Sequence, residues 1–310
     1  FEDLSPGSYT VTEKDQPGWD LTNLVCTGGA SIVTDLPNKK ATISLSAGEN
    51  ITCTFTNTAI EPKLKLVKAF DPVDSGTLGN WKLKATGTGE SPIILEGVAG
   101  SNNVDSSLSP AFPGTHDFKP DTYTLSEEGV SGTDADNFTP GTVWNCGSAN
   151  MDGDNKITLH YGDNVTCTIT NTRKSANLTL EKAWVNAKVG DKVTIPATTG
   201  LMNNTTAFDS TSTGNNTTPG TAVTVYAGET AVLGNESWKT GSATDYNSTL
   251  SCSGAVDTNL ADGLTINAAD TAIKCTYSNG DIITTRFNGT LQEAEAYFLN
   301  QVFNVGTVYD

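Results

Sequence analysis

Short segments of alternating apolar and polar residues run through the chain, separated by clusters of Gly, Asn, Asp and Pro. In the segments 64–70 and 178–184, every second position is apolar with one exception in each. Side chains two apart on a strand share a face, so this period of two predicts β-strands with one buried face. No stretch of about 18 apolar residues occurs, so we expect no membrane insertion. The pattern predicts an all-β chain of Ig-like β-sandwiches.

One strand sequence occurs three times, at intervals of about 110 residues. It is ITCTFTNT at 51–58, VTCTITNT at 165–172 and IKCTYSNG at 273–280. Turn-forming residues precede the copies, as at 47–50 and 161–164, and we interpret them as a hairpin leading into the last strand of a module. The repeat predicts tandem domains.

Two further strand sequences mark the earlier part of the repeat. A tyrosine-containing strand at 6–13 returns at 120–127, and 229–236 is a looser third copy. A Leu-x-Leu strand occurs at 64–70 and 178–184, and the first module has no copy of it. We therefore expect the first module to lack its first strand.

These repeats predict four segments of the chain. They are a partial module one at 1–59, module two at 60–173, module three at 174–280 and a non-repeat tail at 281–310. The linkers are short and one contains a proline, which favours a stiff, end-to-end array. In the tail, 291–299 favours either a short helix or a diverged first strand of another module. The chain opens within a module, so we expect a processed or excised fragment.

The net charge of −17 argues against nucleic acid or an anionic membrane as a partner. Only 36% of the residues are hydrophobic, which suits small β-modules with solvated outer faces. The sequence has no hydrolase, metalloprotease, P-loop or dinucleotide-binding motif, so we expect neither an enzyme nor a cofactor. Asp152 and Asp154 alternate as calcium ligands do, but no closing Glu follows, which favours a turn over a metal site.

Six cysteines fall into three pairs, one in each module. An even number at matched positions predicts disulfides, and buried free thiols or a metal site are weaker alternatives. The expected pairs are Cys26 with Cys53, Cys146 with Cys167, and Cys252 with Cys275. Disulfides form in oxidising compartments, so we expect an extracellular protein, secreted or at the cell surface.

Polar residues interrupt the apolar row of three strands in each complete module. A lysine does so on the first strand, a glutamate on the middle strand and an asparagine on the last strand. They are Lys68, Glu127 and Asn171 in module two, and Lys182, Glu236 and Asn279 in module three. The middle row of module three, in which Val232 and Gly234 precede the glutamate, is the weakest. The alternation places all of these side chains on the core side.

A buried charge without a partner is costly, so we expect the three side chains to meet. One outcome is a Lys–Glu ion pair with the asparagine bonded to both residues. The other is a covalent Lys–Asn isopeptide crosslink. Burial lowers the pKa of a lysine and raises that of a carboxylic acid. A neutral amine is a nucleophile, and a protonated acid can polarise the carboxamide as ammonia leaves.

The order Leu-x-Leu-x-Lys, Tyr-Thr-[Val/Leu]-[Thr/Ser]-Glu and Thr-Asn-Thr resembles the prealbumin-like repeats of bacterial surface proteins, the collagen-adhesin B-type and Spa-pilin-like domains. The resemblance covers about residues 1–280. It implies prealbumin-like sandwiches in which the lysines, glutamates and asparagines named above are the isopeptide residues. Module one keeps Glu13 and Asn57 without the lysine. The chain departs from the family in adding a disulfide to the same last strand and in lacking the Tyr-Thr context before Glu236.

The leading hypothesis for function is a stiff stalk in a bacterial surface adhesin or appendage, with neighbouring copies or modules of the same protein as partners. A rival is a self-assembling filament, in which another chain, or the tail, adds a strand to the open edge of module one beside an unpartnered Asn57. A third hypothesis is a module that binds a glycan or a host protein.

Overall fold

The structure is a computed structural model that describes residues 1–114, 117–131, 134–149 and 151–282. The chain divides into two compact units, Phe1–Lys174 and Ser175–Asp310. Within the described residues, the regular elements are β-strands and four short 3-10 helices, and none of the helices has the length and apolar character needed to span a bilayer. The helix or strand predicted at 291–299 lies outside the described residues.

Module one has five strands in two small sheets. They are β1 (Gly7–Thr12), β2 (Trp19–Thr27), β3 (Ile32–Asp35), β4 (Lys40–Leu45) and β5 (Thr52–Ala59). In one sheet β4 lies between β1 and β3, and in the other β2 pairs antiparallel with β5. The buried apolar residues of this module are Leu24, Ala41 and Ile43, so its core is small.

Module two is a sandwich of two sheets. Its strands are β6 (Lys63–Asp71), β7 (Trp81–Thr86), β8 (Ile94–Val98), β9 (Asp121–Gly129), β10 (Phe138–Thr139), β11 (Lys156–Leu159) and β12 (Asn164–Arg173), with 3-10 helices at Leu78–Asn80, Asn102–Val104 and Asp134–Asn137. One sheet has the order β10-β12-β6 and the other β11-β9-β7-β8. Apolar side chains from both sheets form one core, in which Phe70, Trp81 and Phe138 pack ring against ring.

Module three has a larger first sheet and two smaller ones. Its strands are β13 (Ser175–Val185), β14 (Lys192–Ile195), β15 (Phe208–Thr211), β16 (Asn216–Pro219), β17 (Val223–Tyr226), β18 (Thr230–Ala231), β19 (Ser237–Thr240), β20 (Tyr246–Ser253), β21 (Leu264–Thr265) and β22 (Ala272–Asp281), with a 3-10 helix at Ala243–Asp245. The first sheet has the order β16-β13-β22-β20, with β17 also pairing with β13. The smaller sheets are β15-β14-β19 and β18-β21. Trp184, Trp238 and Tyr246 pack together at one end of the core.

The first and last strands of modules two and three are parallel neighbours. β6 pairs with β12 so that Lys68 lies opposite Ile169, and β13 pairs with β22 so that Lys182 lies opposite Tyr277. Parallel strands cannot be joined by a tight turn, and here the rest of each module separates them in sequence. A bond between these two strands therefore joins the two ends of a module.

The turns before the last strands are not hairpins, so that sequence prediction is wrong. β4 and β5 flank the turn at 47–50 but belong to different sheets, and β11 and β12 do the same around the turn at 161–164. In module two both edges of β12 are taken, one by β6 and the other by β10, while β11 pairs with β9. The chain reverses at these turns and crosses to the other sheet.

The strand predicted at 229–236 is also mostly absent. Only Thr230–Ala231 is a strand, Val232 forms an isolated bridge with Thr199, and the residues from there to Glu236 are irregular. Val232 is 53% exposed, so the predicted row of Val232, Gly234 and Glu236 does not form one core-facing strand. Glu236 still reaches Lys182 in the core, from the irregular segment that follows Val232.

Three disulfides, one per module, join all six cysteines. They are Cys26–Cys53, Cys146–Cys167 and Cys252–Cys275, the pairs that the sequence predicts. In modules one and three the two cysteines lie directly opposite each other on paired strands. In every module, therefore, the disulfide holds the last strand.

Candidate functional site

The first strand of each complete module carries a buried lysine. On β6, Leu64, Leu66 and Phe70 are buried on the face that also holds Lys68, which is 5% exposed. On β13, Lys182 occupies the same place and is fully buried. The alternation of each strand fixes this orientation. The lysine and the leucines share one face of the strand, so a strand that exposed the lysine to solvent would also expose the leucines.

The last strand brings an asparagine to the same region. Asn171 of β12 is fully buried and follows Ile169 on the core face, and Asn279 of β22 is 1% exposed and follows Tyr277. Ile169 and Tyr277 are the residues opposite the two lysines. Each asparagine is thus the next core-facing residue along the strand beside its lysine.

In module two the glutamate comes from the other sheet. Glu127 follows the buried Tyr123 and Leu125 on β9 and points across the core. Its Oε2 lies 3.0 Å from the Nζ of Lys68, and both side chains are almost fully shielded from water. The contact is therefore an ion pair within the core.

In module three the glutamate reaches its lysine from an irregular segment. The Oε2 of Glu236 lies 2.9 Å from the Nζ of Lys182. The hydroxyl of Tyr277 on β22 donates to the carbonyl of Gly234 at 2.9 Å, which fixes the segment against the last strand. Burial, and secondarily the charge of Glu236, raise the pKa of Tyr277 to about 12, so the hydroxyl keeps its proton at neutral pH.

At least one aromatic ring lies close to each amine. The Nζ of Lys68 lies 4.8 Å from the ring centre of Trp81 and 5.3 Å from that of Phe70, and the Nζ of Lys182 lies 4.7 Å from that of Trp184. Burial lowers the pKa of both lysines, and the paired glutamates oppose this only in part. Each site therefore favours the neutral, nucleophilic amine more than water does.

The two asparagine amides are held in different ways. In module two the Oδ1 of Asn171 accepts a hydrogen bond from the backbone N–H of Gly141 at 2.7 Å. In module three the Nδ2 of Asn279 donates to the Oε1 of Glu236 at 2.6 Å. The first contact polarises the carbonyl of an amide under attack, and the second places a carboxyl group at the leaving nitrogen.

Module one has two of the three residues. The Nδ2 of Asn57 donates to the Oε1 of Glu13 at 2.8 Å, as in module three, so the expectation of an unpartnered Asn57 is wrong. The amide of Asn57 is exposed, and within the described residues no lysine amine contacts Glu13. The described residues of module one thus hold the acid and the amide of the site.

The sequence identified the three residue types and missed the groups that position them. Trp81 comes from β7 and stacks over Lys68, and nothing in the sequence marks that contact. Gly141 approaches β12 so closely that a Cβ there would lie 2.4 Å from the carbonyl oxygen of Thr170. Its one available signal was the Thr-Pro-Gly-Thr sequence at 139–142, which marks an irregular segment.

The loop containing Asp152 and Asp154 forms a turn. The Oδ1 of Asp152 accepts hydrogen bonds from the backbone N–H groups of Asp154 and Lys156. Asn155 has a φ of 56°, which a left-handed turn position requires. The Oδ1 of Asp152, which would be needed as a cation ligand, thus accepts hydrogen bonds from backbone N–H groups instead.

Three family models, each described as a prealbumin-like fold domain, match the chain at residues 1–59, 61–169 and 177–288. The matches together span most of the sequence. The chain therefore belongs to the family of prealbumin-like fold domains, and it is a tandem array of them. Both the predicted all-β fold class and the family resemblance are confirmed.

Solved structures of surface proteins resemble the chain at low identity. A C-terminal fragment of the pilus adhesin SpaC from Lactobacillus rhamnosus GG is 9% identical, with a TM-score of 0.37, and the alignment covers 73% of this chain and 100% of that one. The major pilin protein T3.2 from Streptococcus pyogenes is 15% identical, with a TM-score of 0.34 and coverage of 72% and 99%. The search of curated proteins gave no match.

Proposed function

We propose that the chain is a structural, non-enzymatic segment of an extracellular bacterial surface protein, a stalk in a pilus or adhesin. Modules two and three each carry one isopeptide crosslink, Lys68–Asn171 and Lys182–Asn279. The observation that carries the proposal is that each complete module buries a first-strand lysine paired with a shielded glutamate, beside a last strand whose next core-facing residue is a buried asparagine. An ion pair of this kind adds little net stability by itself, whereas a covalent bond adds mechanical strength.

The reaction needs no external reagent. The lysine ammonium gives a proton to the glutamate, and the neutral Nζ attacks the Cγ of the asparagine. The Nζ–Cγ bond forms and the Cγ–Nδ2 bond breaks. A proton from the Nζ passes through the glutamate to the Nδ2, which leaves as ammonia. Each module reacts once, so this is maturation and not turnover.

The position of the crosslink explains how it would carry load. It joins the parallel first and last strands, through which force enters and leaves a module. Without the crosslink, force is resisted by the hydrogen bonds and packing of the strands. With it, force passes through one covalent bond and the core between the two residues is not stretched. A surface stalk under tension benefits from this arrangement.

Single-molecule force spectroscopy under reducing conditions tests the proposal. For the unmodified chain we expect no extension step from the segment between Lys68 and Asn171. In an Asn171→Ala chain the same segment should be released, adding roughly 350 Å of extended length. Asn177→Ala, an exposed position on β13, is the matched control and should behave as the unmodified chain. Release of that length from the unmodified chain would contradict the proposal.

A further inference from the structure

The asparagine of the repeated last strand is followed by a different residue in module three. It precedes Thr58 in module one and Thr172 in module two, but Gly280 in module three. The backbone nitrogen of the next residue can attack an asparagine side chain, and a β-branched side chain hinders this attack whereas glycine does not. Asn279 therefore has a second nucleophile besides the amine of Lys182.

Neither packing nor backbone conformation requires a glycine at position 280. Within the described residues, a Cβ on Gly280 would meet, beyond its chain neighbours, only the carbonyl oxygen of Asn247 at 4.0 Å. The φ angle of Gly280 lies outside the left-handed region that favours glycine. A glycine within a strand also weakens it. The effect of Gly280 is thus on the chemistry of Asn279 and not on the packing of β22.

The folded strand keeps the two reacting atoms apart. β22 lies between β13 and β20, and both Asn279 and Gly280 pair with residues on each side. Closure of an imide ring would require the backbone of Asn279 to leave this extended conformation. The side chain of Asn279 is 1% exposed, and its Nδ2 donates to the Oε1 of Glu236 at 2.6 Å. Attack by the Gly280 nitrogen therefore requires β22 to open.

We propose that Asn279–Gly280 is a deamidation site that the fold of module three keeps closed. When β22 is unfolded, the backbone nitrogen of Gly280 attacks the Cγ of Asn279. The N–Cγ bond forms, the Cγ–Nδ2 bond breaks, and the amide proton of Gly280 leaves with the Nδ2 as ammonia. Water then opens the imide at either carbonyl carbon, which leaves aspartate or isoaspartate at position 279.

The consequence for the crosslink rests on the proposed function. Deamidation and crosslinking consume the same amide of Asn279 and release the same ammonia. After deamidation, the reaction of Lys182 that releases ammonia is no longer available, and a carboxylate faces Glu236 where the amide donated before. Module three must therefore fold before Asn279 deamidates, whereas Thr172 protects module two for longer.

The test uses the full chain with Lys182→Met and Glu236→Gln. The amine is then absent, and the glutamine still offers an acceptor to the amide of Asn279. In urea, with the disulfides reduced and at mildly alkaline pH, peptide mapping follows the gain of about 1 Da at each asparagine. We expect Asn279 to deamidate at least about tenfold faster than Asn57, and at a rate similar to Asn288, which also precedes a glycine.

Gly280→Ala in the same chain is the matched variant. It should slow deamidation of Asn279 at least about tenfold in urea and leave Asn288 unchanged. Equal rates at Asn279 and Asn57 in urea, or a rate at Asn279 that Gly280→Ala does not lower, would overturn the proposed site.

The role of the fold is measured in the same chain without urea. Where hydrogen exchange shows β22 to be protected, deamidation of Asn279 should be at least about tenfold slower than in urea. If β22 is not protected in this chain, Lys182→Leu with Glu236→Gln takes its place. Equal rates with and without urea in a chain whose β22 is protected would overturn the protective role of the fold.

The unmodified chain separates this proposal from the crosslink. If Lys182 is joined to Asn279, unfolding in urea should leave Asn279 unconverted, because its Nδ2 has already left. Deamidation of Asn279 in the unmodified chain would support the deamidation site and contradict that crosslink. An imide and a crosslink both lower the mass by about 17 Da, but the imide lies within one peptide and the crosslink joins two.

Discussion

At the scale of single residues, the buried environment of each lysine determines the direction of its pKa shift. Lys68 and Lys182 have apolar and aromatic neighbours and one carboxylate each. Desolvation acts against the ammonium form, and a single glutamate does not fully compensate. Each amine thus lies beside a carboxyl group that can take its proton, and the next core-facing residue of the neighbouring strand carries an amide.

Substitution of Gly141 is expected to affect the crosslink of module two. Gly141→Ala introduces a Cβ that meets β12, so the segment must move and its N–H leaves the Oδ1 of Asn171. Loss of one such donor slows comparable reactions by about 10²-fold or more. We expect the crosslink of module two to form slowly or incompletely while that of module three is unchanged. Peptide mapping of the two crosslinks in the same sample measures this, and equal yields in both modules would count against the role of Gly141.

The lowered lysine pKa predicts a dependence of stability on pH. In an Asn171→Ala chain Lys68 remains an amine, and burial holds its pKa below the unfolded value of about 10.4. At pH values between the lowered pKa of Lys68 in the folded chain and its pKa in the unfolded chain, the unfolded chain binds more protons. The free energy of unfolding therefore rises with pH over this range. Below the lowered pKa the lysine is charged in both states and its contribution to the slope vanishes.

Urea denaturation over this alkaline range measures the effect. The reference is the Asn171→Ala chain that also carries Lys68→Met and Glu127→Gln, which removes both ionisable groups. We expect the urea midpoint of the first chain to rise relative to the reference as pH increases. If the difference between the two urea midpoints stays constant or falls as pH increases, burial does not lower the pKa of Lys68.

At the scale of elements, the alternation of apolar and polar residues correctly predicted which face of a strand is buried. It did not predict which strands pair with each other. The rows on β6, β9 and β12 lie where a period of two places them. A turn such as 161–164 shows where the chain reverses, but not whether the flanking strands pair with each other or enter different sheets. That choice depends on which edges distant strands occupy.

The prediction of a strand at 229–236 was wrong for a related reason. Its middle residues alternate weakly, with Gly234 in the row, and a glycine interior to a strand weakens it. Tertiary contacts still deliver Glu236, through the bond of Tyr277 to the backbone of Gly234. The site in module three was therefore predictable from the spacing of residue types, but the structure that holds it was not.

The disulfides give a prediction for the individual strands. Each closes a loop of 21 to 27 residues, worth about 3 kcal/mol in loop-closure entropy. Within residues 1–59 the buried apolar residues are Leu24, Ala41 and Ile43, the smallest core of the three modules, so this part of the chain depends most on Cys26–Cys53. After reduction we expect hydrogen exchange to rise first in β2 and β5. Earlier loss of protection in β12 or β22 would contradict this order.

At the scale of the whole molecule, modules two and three repeat one arrangement of three side chains, and residues 1–59 repeat part of it. Modules two and three each enclose a lysine, a glutamate and an asparagine in a continuous core. Module one repeats the acid and the amide, in the contact between Glu13 and Asn57. The sequence predicted this difference, because the Leu-x-Leu-x-Lys sequence occurs in modules two and three and not within residues 1–59.

The intact mass of the reduced chain distinguishes crosslinked modules from modules held by ion pairs. With both crosslinks formed, the mass lies about 34 Da below that calculated from the sequence, because two ammonia molecules have left. Asn171→Ala and Asn279→Ala should each show a deficit of only about 17 Da against their own calculated masses, and Asn177→Ala should keep the full deficit. A reduced chain whose mass equals the calculated value would contradict the central claim and leave two buried ion pairs in its place.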